Sequence, residues 1–180
     1  MNDVIEYVLL TEEQISEKVR ELGAQISRDF EGRRPLVISV LRGSFIFVAD
    51  LVRQMSIDCS IDFMAVSSYG MKSQTTGAVK IVKDLEINVE GKDVLVVEDI
   101  LDSGLTLSYI IGMMQAKKPK SLALCTLLNK PSRRKVPVKI DYCGFEIPDE
   151  FVVGYGLDYS DRFRNLKYIG VLKPEVYSNE

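Results

Sequence analysis

Residues 94–106, VLVVEDILDSGLT, hold the densest chemistry in the sequence: an apolar run ends in Glu98, Asp99 and Asp102, then passes into Ser103, Gly104 and Thr106. Carboxylates this close repel one another, and beside a core each is costly to strip of water. A metal ion, ligand hydroxyls or the positive end of a helix would offset that cost. A strand-to-helix turn supplies the third. Gly104 lets the backbone tighten, and the unpaired N–H groups of the first helical turn, with the Ser103 and Thr106 hydroxyls, make a cup for a phosphate monoester. Acids just before such a cup suit ribose hydroxyls or magnesium, a cation that takes oxygen ligands and keeps several waters. Helix capping by Asp102 and Ser103 would account for one acid and one hydroxyl, leaving Glu98 and Asp99 unexplained. The chain has no G-x-x-x-x-G-K-[ST] motif, so the cup is not a Walker loop.

The chain has no histidine, which removes Ser-His-Asp and Cys-His catalysis, His-ligated zinc and a histidine general base. Proton transfer near neutral pH then falls to a carboxylate, a perturbed lysine, a tyrosine or water. Cys59, Cys125 and Cys143 lack metal-type spacing, and Cys125, inside an apolar run, reads as a small core residue. The basic turn at Arg133, Arg134 and Lys135 reads as solvated surface, with a ligand site as the alternative.

The elements that must position these groups follow from the hydrophobic pattern. Ile15, Val19, Leu22, Ile26 and Phe30 fall at helical spacing, behind a Thr11-x-x-Gln14 capping box. PLVISVL is a buried strand that turns through Arg42, Gly43 and Ser44 into a helix reaching about Met55; SIDFMAV is another strand. A long polar loop follows, with VKIVKD as its return strand. DVLVVED is a strand, GLTLSYIIGMMQAKK a helix and SLALCTLLNK a strand, and VKIDYCGF, FVVGYGLD and YIGVL read as short strands. Strand and helix alternate, and most strands are unbroken apolar runs. That pattern predicts an α/β, doubly wound domain with a mostly parallel central sheet covered by helices on both faces. Ligands in such folds bind beyond the carboxyl ends of the strands. Arg42 and Gly43, Ser68 and Tyr69, residues 98–106, Lys130 and residues 151–158 all fall at or just after strand ends, and so converge on one rim.

The 180 residues are expected to form a single domain, and 46% hydrophobic with 27% charged residues is the composition of a water-soluble globular protein. A net charge of −3 gives no global field to attract nucleic acid or anionic membrane. The N-terminal residues carry acids where a signal peptide needs bases, and no apolar run approaches the roughly 20 residues that span a bilayer. The expected location is cytoplasmic, with no membrane and no nucleic-acid partner.

VLVVEDILDSGLT resembles the signature of phosphoribosyltransferases, in particular those acting on hypoxanthine and guanine. The resemblance extends in the family's order through VLRGSFIFVADL, SSYG, LLNKPSRR, GFEIPDEFVVGYGLDY and FRNLKYIGVL. It implies the type I fold: the same α/β sheet, a small hood from N- and C-terminal segments and a flexible active-site loop. The implied reaction joins a 6-oxopurine, hypoxanthine or guanine, to 5-phosphoribosyl 1-pyrophosphate, with Mg2+ as cofactor, in a homodimer or homotetramer. Carried over, the 5′-phosphate occupies Asp102, Ser103, Gly104, Leu105 and Thr106, while Glu98 and Asp99 hold the ribose hydroxyls and metal. Asp102 faces purine N7 as general base or hydrogen-bond partner. Arg42 and Gly43, beside a cis peptide preceding Arg42, bind pyrophosphate together with Arg164. Asp158 reaches a second magnesium through water and lies by the base. Lys130 donates to purine O6, Phe151 stacks on the ring, and Val152 offers backbone groups to the base edge. Ser68 and Tyr69 open a loop, residues 68–80, that would exclude water. Two other classes stay open on residues alone: an RNA-binding regulator on the same scaffold, which needs a basic face, and an α/β phosphatase with an acidic strand end.

Overall fold

The computed structural model describes residues 4–68 and 79–178. Strand β1 (Ile5–Leu10) leads into helix α1 (Glu12–Asp29), followed by β2 (Leu36–Leu41), α2 (Phe45–Gln54), β3 (Ser60–Ser68) and β4 (Val79–Lys83). The central strand β5 (Asp93–Leu101) runs into α3 (Leu105–Ala116) and β6 (Ser121–Asn129). The chain closes with β7 (Tyr142–Glu146), β8 (Val152–Val153), β9 (Ile169–Leu172) and α4 (Pro174–Tyr177).

Six strands form the main sheet in the order β4-β3-β2-β5-β6-β7, all parallel except the edge strand β4. The side chains of β5 alternate between two cores, as the pleat requires. Leu95 and Val97 join Ile15, Leu22 and Phe47 of α1 and α2, whereas Val94 and Val96 join Leu107, Ile110 and Met114 of α3. A strand buried on both faces must be apolar throughout, hence its unbroken hydrophobic run. The capping box of α1 forms as read: Gln14 N–H donates to Thr11 Oγ1 (3.3 Å) and Thr11 N–H to Gln14 Oε1 (2.8 Å). Cys125 is buried in the core.

A second, antiparallel sheet, β1-β9-β8, forms the hood. The sequence pattern did not reveal β1. It lacks clean alternation, and its partner lies at the other end of the chain, with Ile5 opposite Leu172. Two expected strands are shorter than the pattern indicates. Asp141, just before β7, donates its N–H to the Leu124 carbonyl (3.0 Å) but takes the Leu124 N–H on its own carboxylate (2.9 Å), so residues 138–140 stay outside the ladder. Strand β8 stops after two residues because Gly154, Tyr155 and Gly156 all take positive φ. Among the described residues, no helix is long and apolar enough to cross a membrane.

Candidate active site

The turn from β5 into α3 has the form an anion cup requires. Gly104 adopts φ 83° and occupies the N-cap position of α3, so no N-cap side chain ties up the first-turn N–H groups. Ser103 Oγ reaches only the Leu105 N–H, at 3.4 Å. The dipole end and first-turn N–H groups therefore face a cavity of about 250 Å³, lined by Ser103, Gly104 and Thr106 on one side and Arg42, Gly43 and Glu98 on another. A Cβ at Gly104 would meet the Val136 carbonyl, which shows how closely residues 134–136 press on the turn. Arg134 holds that contact together: its guanidinium donates to the carbonyls of Asp102 (3.0 Å) and Leu101 (3.3 Å). The basic turn is thus neither plain surface nor a ligand site at Arg134, which acts as a clasp on the cup.

Asp102 lines the same cavity, and its Oδ1 is, among the described residues, the only buried side-chain polar atom without a hydrogen-bond partner. A buried acceptor left bare costs about 1–3 kcal/mol, so it marks a place where something else must bind. Glu98 and Asp99 are both buried, at 9% exposure each. Burial is the largest cause that holds both carboxyls above their ordinary pKa. The Asp99 charge raises Glu98 further, whereas backbone hydrogen bonds and Arg164 partly offset the shift at Asp99. Their local bonds are to Asp99 N–H (3.3 Å) and Ile100 N–H (2.8 Å). Among the described residues, no group of three acids or cysteines is arranged to hold a metal by itself. Two desolvated carboxylates without a third fit a hard cation that draws its remaining ligands from substrate and water.

Residues 41–43 join this cavity to a second one, of about 370 Å³, lined by Arg42, Gly43, Asp99, Asp158 and Arg164. The Leu41–Arg42 peptide is cis, as the resemblance implies. Gly43 is sandwiched: a Cβ there would overlap the Asp99 carboxylate, and a Cβ on Gly156 would overlap the Gly43 carbonyl. Only glycine allows this three-layer approach of Asp99, residue 43 and residue 156. Arg164 is fixed over the second cavity by Asp158 (2.7 Å), Asp161 (3.2 Å) and the Gly156 carbonyl (2.8 Å), and Arg42 pairs with Asp161 (3.1 Å).

Lys130 follows β6 and is 6% exposed, so it is not a solvated strand-end lysine. Its ammonium donates to the Glu150 carbonyl (2.8 Å). Burial pushes its pKa below the ordinary lysine value, with the Asp102 charge opposing. Phe151 keeps 37% exposure, unlike a core strand residue. Val152 is buried, but its backbone is informative. Leu172 N–H donates to the Phe151 carbonyl (2.9 Å), and Val153 lies opposite Gly170. By the alternation of antiparallel pairing, the N–H and carbonyl of Val152 then point away from β9, out of the edge of the hood sheet.

The structure thus brings together Arg42, Gly43, Glu98, Asp99, residues 102–106, Asp158 and Arg164 around two joined cavities, with Lys130 within electrostatic reach of Asp102. Leu105 sits in the first turn of α3 with its side chain exposed, so only its backbone belongs to the cup. Ser68 ends β3; Tyr69 and the following residues to 78 lie outside the described residues. Sequence reasoning missed Gly156, Asp161 and Glu150, and read Arg134 as surface or ligand site rather than as a clasp on the turn. Only Gly156 left a signal, in the GYG spacing at 154–156.

Residues 9–160 match the phosphoribosyl transferase domain family. The hypoxanthine-guanine phosphoribosyltransferase of Bacillus subtilis is 53% identical over 99% of both chains. A bifunctional TilS/HprT protein of Listeria monocytogenes is also 53% identical over 99% of this chain, which spans only 28% of that relative's length. The crystal structure of a hypoxanthine phosphoribosyltransferase from Staphylococcus aureus matches with a TM-score of 0.95 and 51% identity, covering 99% of this chain and 97% of that one.

Proposed function

Because the chain belongs to the phosphoribosyltransferase family, we propose that it transfers the 5-phosphoribosyl group from 5-phosphoribosyl 1-pyrophosphate to N9 of hypoxanthine or guanine. The bond from ribose C1′ to pyrophosphate oxygen breaks, C1′–N9 forms, and a proton leaves the purine. The observation that carries this reading is the bare, buried Oδ1 of Asp102, placed between the phosphate cup and Lys130.

In this reading the 5′-phosphate rests on the N–H groups and hydroxyls of Ser103 through Thr106, neutralised by the α3 dipole. Asp102 accepts from purine N7–H, which relieves its own unpaired oxygen and carries away positive charge as C1′–N9 forms. Glu98 and Asp99 would hold the ribose hydroxyls and, with them, Mg2+, and Asp158 would serve a second ion. When bound, the cation neutralises charge on the departing pyrophosphate. Arg164 and the backbone of residues 42–43 receive that pyrophosphate. Lys130, which has donors only, suits the O6 acceptor of a 6-oxopurine, and the outward carbonyl of Val152 suits its N1–H. Adenine reverses both positions and leaves two buried groups mismatched. Assembly as a homodimer or homotetramer belongs to the same proposal, supported by the apolar side chains of Ile61 and Phe63 left exposed on β3.

Incubation with Mg2+, hypoxanthine and 5-phosphoribosyl 1-pyrophosphate tests the proposal. Inosine monophosphate and pyrophosphate should appear together, adenine should give negligible product, and excess chelator should stop the reaction. Hydrolysis of the donor without nucleotide, or equal use of adenine, would contradict it.

A further inference from the structure

Phe151 stands at the start of a two-residue edge strand, an insecure base for a ring that must present a flat face. The hood supplies support from two directions. The Tyr177 ring lies along Phe151, with centroids 5.0 Å apart and planes inclined by 23°. The Tyr159 ring meets it edge-on, at 5.6 Å and 89°. The two tyrosines are tied to each other, because the Tyr159 hydroxyl donates to the Val176 carbonyl (3.0 Å), one residue before Tyr177. Tyr177 in turn packs with Val176 on the small core formed by Val153, Phe163 and Leu172.

A ring has two faces. Tyr177 covers one, and Phe151 as a whole remains 37% exposed beside the perpendicular Tyr159 ring. We infer that Tyr177 is a positioning residue for the purine: it backs Phe151, so that base, Phe151 and Tyr177 form a three-layer stack. Tyr177 touches no substrate in this arrangement and acts only through Phe151. A phenylalanine without backing would sample other rotamers and lose that freedom on binding, which weakens association; a ring held in place beforehand avoids the loss. The inference rests on the reading of Phe151 as the base-stacking residue, and it adds the C-terminal helix α4 to the parts that determine purine affinity.

Steady-state kinetics on the full chain test it. Tyr177→Ala should raise KM for hypoxanthine roughly 3- to 10-fold, the worth of one aromatic pair, with kcat and donor KM within about twofold of wild type. Tyr177→Leu, which fills the space without a ring, should behave like Tyr177→Ala and replaces it if the alanine variant does not fold. Tyr177→Phe should restore the wild-type hypoxanthine KM. An unchanged hypoxanthine KM in Tyr177→Ala, a parallel rise in donor KM, or failure of Tyr177→Phe to rescue would overturn the inference. If the wild type makes no inosine monophosphate, the proposed function itself has failed and this inference falls with it. An active wild type with an indifferent Tyr177→Ala defeats this inference alone.

Discussion

In one part of the rim, a single uninterrupted segment supplies Glu98 and Asp99 near the end of the most buried strand of the main sheet, then Asp102 and the helix start that follow it. At the base end, Lys130 follows β6, Phe151 and Val152 belong to β8, and Tyr177 closes α4, all gathered by a hood whose own core has three buried residues. The first region concentrates unfavourable charge where the scaffold is stiffest; the second layers aromatic rings and backbone edges where it is slightest. Placing charge that must not relax on a doubly covered strand preserves its alignment with the reacting atoms. Recognition of a flat heterocycle needs less rigidity, and it sits where substitutions leave the central sheet undisturbed. On the proposed reading, the contrast makes reaction and base choice separable in this fold.

The largest test of that separation is Asp102→Asn. Folding and donor binding should persist while kcat falls by roughly 10²–10⁴, the usual worth of an acid–base group, and hypoxanthine and guanine should suffer alike. Single-turnover product formation at saturating donor is the measurement, and an unchanged rate would remove Asp102 from the chemistry.

Lys130→Ala probes the other end. It should lower kcat/KM for hypoxanthine by roughly 10- to 100-fold, as expected for losing a hydrogen bond to a charged group. The residual rate with adenine should fall less, so the ratio between the two bases narrows. A uniform loss with both bases would tie Lys130 to the reaction and blur the division drawn here.

The smallest effect concerns stability. Burial holds Glu98 and Asp99 above their ordinary pKa, so in that window the folded protein binds more protons than the unfolded chain. Their contribution to stability is then present below the ordinary carboxylate range and lost as pH rises through the elevated one. Glu98→Gln, in protein freed of cations by chelator, should be more stable than wild type by about 1 kcal/mol near neutrality, with the gap closing toward about pH 4. Urea denaturation across that range measures it; a constant gap would mean that the pair is not under electrostatic stress.

The same division governs what the sequence reveals. Residues 94–106 are contiguous, so the strand, the turn glycine and the acids are visible in one line, as is the Thr11 and Gln14 box. Contacts between remote segments leave no such trace. The Gly43–Gly156 approach, the Arg134 clasp and the Tyr177–Phe151 stack each join residues whose proximity exists only after folding. Residues 138–140 misled the strand pattern for a related reason: Asp141 replaces a backbone partner by a side-chain carboxylate, which hydrophobic periodicity cannot register.

The pairing of β1 with β9 has a consequence in time. Ile5–Leu10 is synthesised long before its partner, Ile169–Leu172. Strands β2, β3 and β5 pair across much shorter separations. A nascent chain thus has what it needs to assemble the phosphate cup well before the hood, because distant pairings bear the greatest loop-closure cost and form late. Synthesis therefore delivers the β5–α3 turn before residues 157–164, which complete the second cavity beside it.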